Sequence, residues 1–373
     1  MLLATSEFII KIAGTCNLNC SYCYMFNMGD TTFQSRPRIM DKDIARLTIK
    51  RIYEYAIQNH IQEVKLILHG GEPLLVGMDW MRWFFEETKK QLPSNLKVRI
   101  GLQTNGTLLN REWLTLFKEN QVGFGISLDG PPEWHDRFRV DFGGRGSYKQ
   151  VRRAIDLVLE EQYPKSSWGV LVVANPEFSG VEIYKHFLDI GVQGMDFLWP
   201  DYHHDVLPPW PTGSLAKYYI NLFDEWYNAA NTDVKIRWFE IVIGMMLGNS
   251  TQLDSLGAHP IDLVVIESDG SLEPLDVIRT CQNGMSQLGL NVLNHGIDDL
   301  YKTDLFQICL SNQDLLPSSC HQCAAYQVCG GGYLPHRWEK NLGFQNPSVH
   351  CEDLYTVIKY IAQRIETDLK KTG

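Results

Sequence analysis

Three thiols lie within eight residues in the stretch Cys16-Asn17-Leu18-Asn19-Cys20-Ser21-Tyr22-Cys23-Tyr24, directly after a short apolar run at 8–12. Thiolates bind iron–sulfur clusters and zinc, and a closed structural site of either kind normally has four protein ligands. Three clustered thiols with no fourth nearby therefore predict a four-iron cluster that keeps one iron open for a substrate or cofactor. The alternatives are a zinc site that borrows a distant ligand and cysteines that bind no metal.

The composition narrows the class of protein. A chain of 373 residues, 44% of them hydrophobic, suits a large catalytic domain with a smaller appendage. The net charge of −10 argues against a nucleic-acid partner, because a protein that binds nucleic acid normally has a basic stripe on its surface. Nine cysteines, three of them in one loop, fit metal ligation in a reducing compartment better than a disulfide framework, so we expect a cytoplasmic protein.

No membrane partner is expected, because the sequence contains no run of about 18 uncharged apolar residues. The first ten residues are apolar but lack a basic leader and a cleavage site, so they predict a strand rather than a signal peptide.

Short apolar runs alternate with longer amphipathic ones, a pattern typical of βα units and a parallel sheet. The six predicted strands are 8–13, 64–69, 98–104, 123–128, 168–174 and 195–199. The predicted helices between them are 41–58, 79–91, 111–120, 147–161 and 181–190. Six such units predict a partial (β/α)6 TIM-like barrel, with its ligands at the carboxyl ends of the strands.

Beyond the sixth strand the pattern changes. An aromatic loop at 199–210 precedes helical patterns at 213–230 and 234–247, and a hairpin is predicted around Asp269-Gly270. A closing helix is predicted at 352–370. These shifts predict three domains: a barrel at 1–212, a helical bridge at 213–260 and a cysteine-containing domain at 261–373.

The motifs resemble those of the radical S-adenosylmethionine (SAM) enzymes over nearly the whole chain. The resemblance lies in the three cysteines followed by an aromatic residue, in Gly70-Gly71-Glu72-Pro73, and in Ser127-Leu128-Asp129-Gly130. It implies that Cys16, Cys20 and Cys23 hold a [4Fe–4S] cluster whose open iron binds SAM. It also implies reductive cleavage of SAM to a 5′-deoxyadenosyl radical, which abstracts a hydrogen atom from the substrate.

Seven residues are expected to contact SAM. Gly70 and Gly71 let the backbone approach a ligand closely, and Glu72 offers a carboxylate to the SAM ammonium group. By resemblance, the Tyr24 backbone meets the adenine and Arg139 meets the SAM carboxylate, whereas Arg137 is expected on a solvated face. Ser127 is a candidate for a ribose hydroxyl, and Asn105 is either a further contact or a turn residue.

A second cysteine cluster, Cys320-x2-Cys323-x5-Cys329 followed by Cys351, resembles the SPASM extension of radical SAM enzymes that modify peptides and proteins. The resemblance implies one auxiliary [4Fe–4S] cluster held by these four thiolates, with a structural zinc ion as the alternative. Two cysteines of the full pattern are missing, because Tyr333 and the segment 272–276 stand in their places. Cys281 and Cys309 are expected to be unligated and packed as small hydrophobes, so the chain should carry two clusters.

Within the SPASM group, the segments 273–276, 288–292 and 329–338 resemble the cyclophane-forming peptide maturases. That resemblance implies a ribosomally made precursor peptide as substrate, together with an external one-electron donor of the flavodoxin or ferredoxin type. An aromatic ring carbon would be joined to the β-carbon of a residue two places later. The reaction releases a proton, and the candidate bases are Asp276, Asp201 and His336.

Three other functions remain open. A thioether-forming maturase would link a substrate cysteine to carbon, and an anaerobic sulfatase maturase shares the segments 103–106 and 127–130. The non-enzymatic alternative is an iron–sulfur electron carrier or a zinc-stabilised binding module.

Overall fold

The computed structural model describes residues 5–251 and 253–372. These residues form nine strands, β1 to β9, at Glu7–Ala13, Glu63–Gly70, Lys97–Thr104, Gly123–Ser127, Trp168–Val173, Gly194–Leu198, Lys235–Ile236, Val264–Ile266 and Leu272–Glu273. They also form twelve α-helices, α1 to α12, at Lys42–Gln58, Met78–Gln91, Arg111–Glu119, Pro132–Phe138, Tyr148–Glu160, Gly180–Asp189, Ser214–Ala229, Arg237–Met246, Asp304–Leu310, Ser318–His321, Tyr326–Cys329 and Cys351–Thr372.

The chain divides into two compact units. Unit 1 contains the chain up to Leu128, His135–Gly169 and Asp262–Cys309. Unit 2 contains Asp129–Trp134, Val170–Ile261 and the chain from Leu310 onward. These units do not follow the three consecutive segments expected from the sequence, because 262–309 belongs with the N-terminal strands. The division into 1–212, 213–260 and 261–373 therefore stays a prediction about domains.

The sheet of unit 1 is mostly parallel. Strand β1 pairs in parallel with β2, β2 with β3, and β3 with β4. On its other side, β1 pairs in parallel with β8, which forms an antiparallel hairpin with β9. The predicted hairpin around Asp269-Gly270 is thus confirmed, and it adds two strands next to β1. All of the cysteine loop and its neighbouring strand ends belong to this unit.

Alternating burial explains why these segments form strands. Every second residue of β2 is buried, as expected for a strand that presents alternate side chains to opposite faces. Helices α1 and α2 pack against each other, and Phe84 and Phe85 of α2 are almost completely buried. Burial of each such ring stabilises the fold by about 1.5–3 kcal/mol. Helix α1 begins where the Asp41 carboxylate accepts a hydrogen bond from the Asp43 N–H (2.7 Å).

In unit 2, β5 pairs in parallel with β6 and β6 with β7. Helix α12 packs against α7 and α8, and it buries Leu354, Val357, Ile358 and Ile361 on one face, as predicted. The predicted helix at 234–247 begins late, because Lys235–Ile236 first forms β7 against β6. Helix α4 was not predicted from the sequence. None of the helices formed by the described residues combines the length and apolar character needed to span a bilayer.

Candidate functional site

The three N-terminal cysteines follow the carboxyl end of β1. Cys20 is buried, while Cys16 and Cys23 are half-buried, and the Cys23 N–H donates to the Cys20 carbonyl (3.0 Å). Burial raises the pKa of the Cys16 thiol to about 12 and also raises the pKa of Cys23. Because metal binding requires thiolates, a cation must displace these protons. Three thiols in one loop fit a four-iron cluster that has one open iron.

Two glycines let the end of β2 press against this loop. A Cβ on Gly70 would lie 2.1 Å from the Ala13 carbonyl oxygen, and one on Gly71 would lie 2.2 Å from the Thr15 carbonyl oxygen. Gly70 also has a φ of +139°, which side chains rarely adopt. The Gly71 N–H donates to Ala13 (2.8 Å). The glycines therefore serve the close packing of two backbone segments, beside which Glu72 projects.

Glu72 is completely buried and connects two strand ends. Its Oε1 accepts hydrogen bonds from the Leu74 N–H (3.1 Å) and the Thr104 hydroxyl (2.7 Å), and its Oε2 accepts one from the Asn105 N–H (2.7 Å). Burial raises the pKa of Glu72 to about 7, against the opposing effect of these donors. A carboxylate has about four acceptor positions. One position at Oε2 is therefore left to accept a ligand ammonium group.

Asn105 is both a turn residue and a neighbour of the cysteine loop. Its Oδ1 accepts from the Thr107 N–H (3.0 Å), which closes the turn after β3. Its Nδ2 donates to the Asn17 side chain (2.9 Å) and lies 3.6 Å from the Cys16 sulfur. The turn role is therefore present in the structure, and the contact with SAM stays a prediction.

Ser127 lies at the end of β4, where its hydroxyl accepts a hydrogen bond from the Gln103 Nε2 (3.0 Å). The hydroxyl proton of Ser127 is then available to a further acceptor, as expected for a residue that contacts a ribose. Arg139 is buried, and its guanidinium carbon lies 5.3 Å from the centre of the Tyr22 ring. Its positive charge lowers the pKa of Cys23, which burial raises. Arg137 is exposed, as expected for a solvated face.

A polar cluster in the same unit consists of the buried Lys11 and Asp276 and the half-buried Tyr24 and His69. The Tyr24 hydroxyl donates to Asp276 (2.5 Å), and the Lys11 ammonium donates to the Tyr24 hydroxyl (2.8 Å) and forms an ion pair with Asp276. Lys11 Nζ also lies 3.3 Å from His69 Nδ1. Sequence reasoning missed Lys11 and His69, because Lys11 belongs to an apolar strand and His69 was taken only as the end of the next one.

The charges of this cluster are well defined. Burial by itself would raise the pKa of Asp276, but the Lys11 ammonium holds it well below its usual range. Burial lowers the pKa of His69 to about 3, so the imidazole is neutral at pH 7. Asp276 is therefore an ionised carboxylate held by Lys11 and Tyr24. Of the three candidate bases, it alone belongs to the unit that contains the cysteine loop.

The other two candidate bases lie in unit 2 and contact each other. His336 Nε2 is 3.4 Å from Asp201 Oδ1, and the His336 ring packs 5.0 Å from that of His350. A carboxylate at this distance favours the charged imidazolium. Burial outweighs it, however, and lowers the pKa of His336 to about 3.

The four C-terminal cysteines line one cavity of about 120 Å³ in unit 2, together with Tyr326, Gly331 and Ser348. Cys320 is buried, Cys323 and Cys329 are half-buried, and Cys351 is exposed at the start of α12. Within residues 5–251 and 253–372, no three His, Cys, Asp or Glu side chains are grouped so as to hold a single metal ion. A [4Fe–4S] cluster distributes its four cysteines over four irons, so the donor set and the shared cavity fit such a cluster.

Cys281 and Cys309 are buried in unit 1. Cys309 is fully buried in α9, and burial raises its pKa to about 12. At the places where the SPASM pattern has further cysteines, Leu275 is fully buried and Tyr333 packs against His336. These surroundings fit unligated thiols.

Comparison with known proteins shows which proteins this chain resembles. The model of the Radical SAM superfamily matches residues 10–178. A cysteine-type anaerobic sulfatase-maturating enzyme of Clostridium novyi (strain NT) is 28% identical over 356 residues, which cover 93% of this chain and 92% of that protein.

Two solved structures share the fold. Native anSMEcpe with bound AdoMet and Cp18Cys peptide has a TM-score of 0.82 at 24% identity, covering 98% of this chain and 99% of that one. Streptococcus suis SuiB bound to precursor peptide SuiA has a TM-score of 0.56 at 14% identity, covering 93% and 76%. These likenesses confirm the predicted fold class, a mostly parallel α/β sheet of the partial-barrel type with cysteines in its C-terminal region. The chain is thus an enzyme, and its residues 10–178 are similar to the radical SAM superfamily.

Proposed function

We propose that this enzyme matures a ribosomally made precursor peptide by joining an aromatic ring carbon to the β-carbon of a residue two places later. When bound, the [4Fe–4S] cluster and SAM supply the radical that removes a hydrogen atom from that β-carbon. The resulting substrate radical attacks the ring, and loss of one electron and one proton restores aromaticity. The product then contains one new C–C bond and two hydrogens fewer than the substrate.

The proposed roles follow from the contacts within unit 1. Cys16, Cys20 and Cys23 hold the cluster, and the open acceptor position of Glu72 receives the SAM ammonium group. Gly70 and Gly71 place that carboxylate beside the loop, while Tyr24, Asn105, Ser127 and Arg139 contact the rest of the cofactor. The peptide bound to anSMEcpe supports a peptide substrate for this chain as well.

The ionised Asp276 is the observation that carries the proposed chemistry. Asp276 is held by Lys11 and by Tyr24, and Tyr24 directly follows the cluster ligand Cys23 in the sequence. Asp276 is therefore proposed to receive the proton that the ring loses. Asp201 and His336, in unit 2, remain the alternative candidates. The electron is proposed to leave through an auxiliary cluster at Cys320, Cys323, Cys329 and Cys351. An external flavodoxin-type or ferredoxin-type protein is proposed as the one-electron donor.

Sulfatase maturation is the second candidate, favoured by the curated relative from Clostridium novyi. Against it stand Tyr333 and the segment 272–276, where cysteines of a second auxiliary cluster are missing.

Mass spectrometry separates these functions. The enzyme should be co-expressed with the short peptide encoded beside its gene, and the product should lose two hydrogens in a crosslink that contains no cysteine. A crosslink through a cysteine sulfur would instead identify a thioether-forming enzyme. Modification of a cysteine-containing sulfatase peptide, with the neighbouring peptide unchanged, would identify a sulfatase maturase and exclude the proposed reaction.

A further inference from the structure

Three consecutive glycines follow Cys329, and all three have left-handed backbone conformations. The φ angles are +59° at Gly330, +85° at Gly331 and +73° at Gly332. A Cβ on Gly330 would lie 2.0 Å from the Gly257 carbonyl oxygen, and one on Gly331 would lie 2.5 Å from Leu316. Only glycine fits both this conformation and this space. The segment forms a tight turn whose N–H and carbonyl groups point in defined directions.

The two sides of this turn have different partners. Burial raises the pKa of the Cys329 thiol, and the Gly331 N–H lowers it. The Gly331 carbonyl accepts a hydrogen bond from Arg337 Nε (3.1 Å). Gly331 also lines the cavity of the four cysteines. A single peptide segment therefore connects the Arg337 guanidinium to a thiol of the four-cysteine site.

Arg337 is almost completely buried, and its partners are electrically neutral. Its Nη2 donates to the carbonyls of Gly330 (2.8 Å) and Gly332 (2.8 Å) and to the side-chain oxygen of Asn312 (3.2 Å). Its Nη1 donates to the Asn312 carbonyl (2.9 Å). These contacts give each guanidinium nitrogen an acceptor, but every one of these acceptors is uncharged.

A buried charge without a counter-charge is costly, so buried arginines normally pair with a carboxylate. Arg279 in unit 1 shows the usual arrangement, since it pairs with Glu267 and Glu273 (2.9 Å). Within the described residues, no Asp or Glu forms an ion pair with Arg337. The acidic groups near enough to affect its pKa are the thiols of Cys329 and Cys320 and the Tyr326 hydroxyl, of which the two thiols would be thiolates when they bind a metal. Burial lowers the pKa of Arg337 to about 10, so it is still a cation at pH 7.

We propose that Arg337 is the fixed counter-charge of the four-cysteine site and makes the auxiliary cluster there easier to reduce. The geometry supports this role, because the carbonyls of the 330–332 turn, which directly follows Cys329 and lines the cysteine cavity at Gly331, hold the guanidinium in place. A reduced cluster carries one more negative charge than an oxidised one, and a nearby cation stabilises it. This inference rests on the auxiliary cluster named under the proposed function, where it would help the cluster to accept an electron. Arg337 is thus a positioning residue that acts through the cluster.

The test compares two substitutions of similar length in the full chain. Arg337→Lys keeps the positive charge and loses most of the hydrogen bonds, whereas Arg337→Met loses both. Each is made in a C16A/C20A/C23A background, so that only the auxiliary cluster is observed. The readouts are iron content and the midpoint potential from a redox titration followed by electron paramagnetic resonance.

We expect R337M to lower the midpoint potential by at least 59 mV, which for one electron is a tenfold change in the reduction equilibrium. The midpoint potential of R337K should differ from that of its parent by no more than about a third of that shift. Asn312→Ala is the packing control: it removes one acceptor of Arg337 but leaves the charge, so its potential should stay at that of the parent.

Each other outcome decides the matter. Equal shifts in R337K and R337M, an N312A shift as large as that of R337M, or an R337M potential equal to that of the parent would overturn the proposal. If R337M binds no iron while R337K does, the counter-charge is supported; if neither binds iron, Arg337 is merely structural and the proposal fails. A parent that contains zinc instead of iron would refute the auxiliary cluster itself, which separates that failure from a failure of Arg337.

Discussion

Lys11 and Asp276 form a buried ion pair, although 265 residues separate them in the chain. Lys11 lies in the middle of β1, and Asp276 begins the 3-10 turn Asp276–Thr280 that follows the β8–β9 hairpin. Strand β8 pairs with β1, and this pairing places the hairpin beside the lysine. The ion pair therefore fixes Asp276, the proposed base, to β1, the strand that leads into the cysteine loop.

Lys11→Met should change the pH dependence of crosslinking. In the parent, the Lys11 ammonium outweighs the effect of burial on the pKa of Asp276. Without the ammonium group, we expect burial to raise this pKa above its ordinary value. The carboxyl group would then be protonated at neutral pH, and the rate should rise as the pH increases through the new pKa. The parent should show no such step near neutrality, because its carboxylate is already ionised. The measurement is the initial rate of peptide crosslinking between pH 6 and 9, with Lys65→Met, which alters a partly exposed lysine of β2, as the control.

The same variant should be less stable. Removing one partner of a buried ion pair costs about 3–5 kcal/mol, because the group that remains is buried and must either keep an unpaired charge or give up its charge. Asp276→Asn should cost a similar amount and should slow crosslinking by about 100-fold or more if Asp276 is the base. The double variant K11M/D276N should regain part of the stability, as seen in the urea midpoint. A K11M enzyme with the parental pH profile would show that Lys11 does not tune the base.

Glu72→Gln should weaken SAM binding at least tenfold, which is about 1.4 kcal/mol. The substitution removes the negative charge that is offered to the SAM ammonium group. It also places an amide NH2, which is itself a donor, where the Thr104 hydroxyl and the Asn105 N–H donate to a carboxylate in the parent. Equilibrium dialysis with SAM measures the effect. Thr104→Val is the matched control, since it removes one structural hydrogen bond to Glu72 but keeps the charge. Equal losses in both variants would mean that Glu72 only supports the fold.

Cys309→Ala should leave the iron content at about eight per chain, as two four-iron clusters require. The thiol is fully buried, so its loss should lower the free energy of unfolding by about 1 kcal/mol through lost packing. Cys320→Ala is the comparison and should remove about four irons. Loss of iron from C309A would contradict the assignment of Cys309 as an unligated thiol.

The site residues that could be predicted from the sequence were those that belong to motifs of fixed spacing. Cysteine spacing and strand-end glycines predicted a site at the ends of β1 and β2, and the strands and helices of the barrel were located to within one or two residues. Lys11 and Arg337 gave no such signal, because a charged residue within or beside an apolar segment normally predicts an exposed side chain. Their burial depends on partners far away in the chain, such as Asp276 and Asn312.

The placement of β8 against β1 was not predicted for a similar reason. Residues 264–266 form a strand of only three residues, and their pairing with 8–10 spans more than 250 positions of the chain. Local periodicity identifies such a segment as a strand but contains no information about its partner. The assignment of 262–309 to the N-terminal unit follows from that pairing.

His336 should make the protein less stable at acidic pH. Burial lowers the pKa of His336 to about 3, whereas an unfolded histidine titrates near 6.5. The unfolded chain therefore binds a proton that the folded protein refuses, and stability falls as the pH drops from about 6.5 towards 3. Each pKa unit of difference corresponds to about 1.4 kcal/mol. The urea midpoint of the full chain, followed by tryptophan fluorescence at pH 7.5 and pH 5, measures this loss.

The matched variant is His336→Gln, which cannot titrate. Its midpoint at pH 7.5 should be lower than that of the parent, because it loses the packing of the ring against His350 and Tyr333. The further decrease between pH 7.5 and pH 5 should, however, be smaller in the variant than in the parent. His60→Gln is the control, since His60 is exposed and its replacement should leave the decrease unchanged. If H336Q and the parent lose the same stability over this interval, His336 is not kept neutral by burial, and the acid sensitivity must come from other groups.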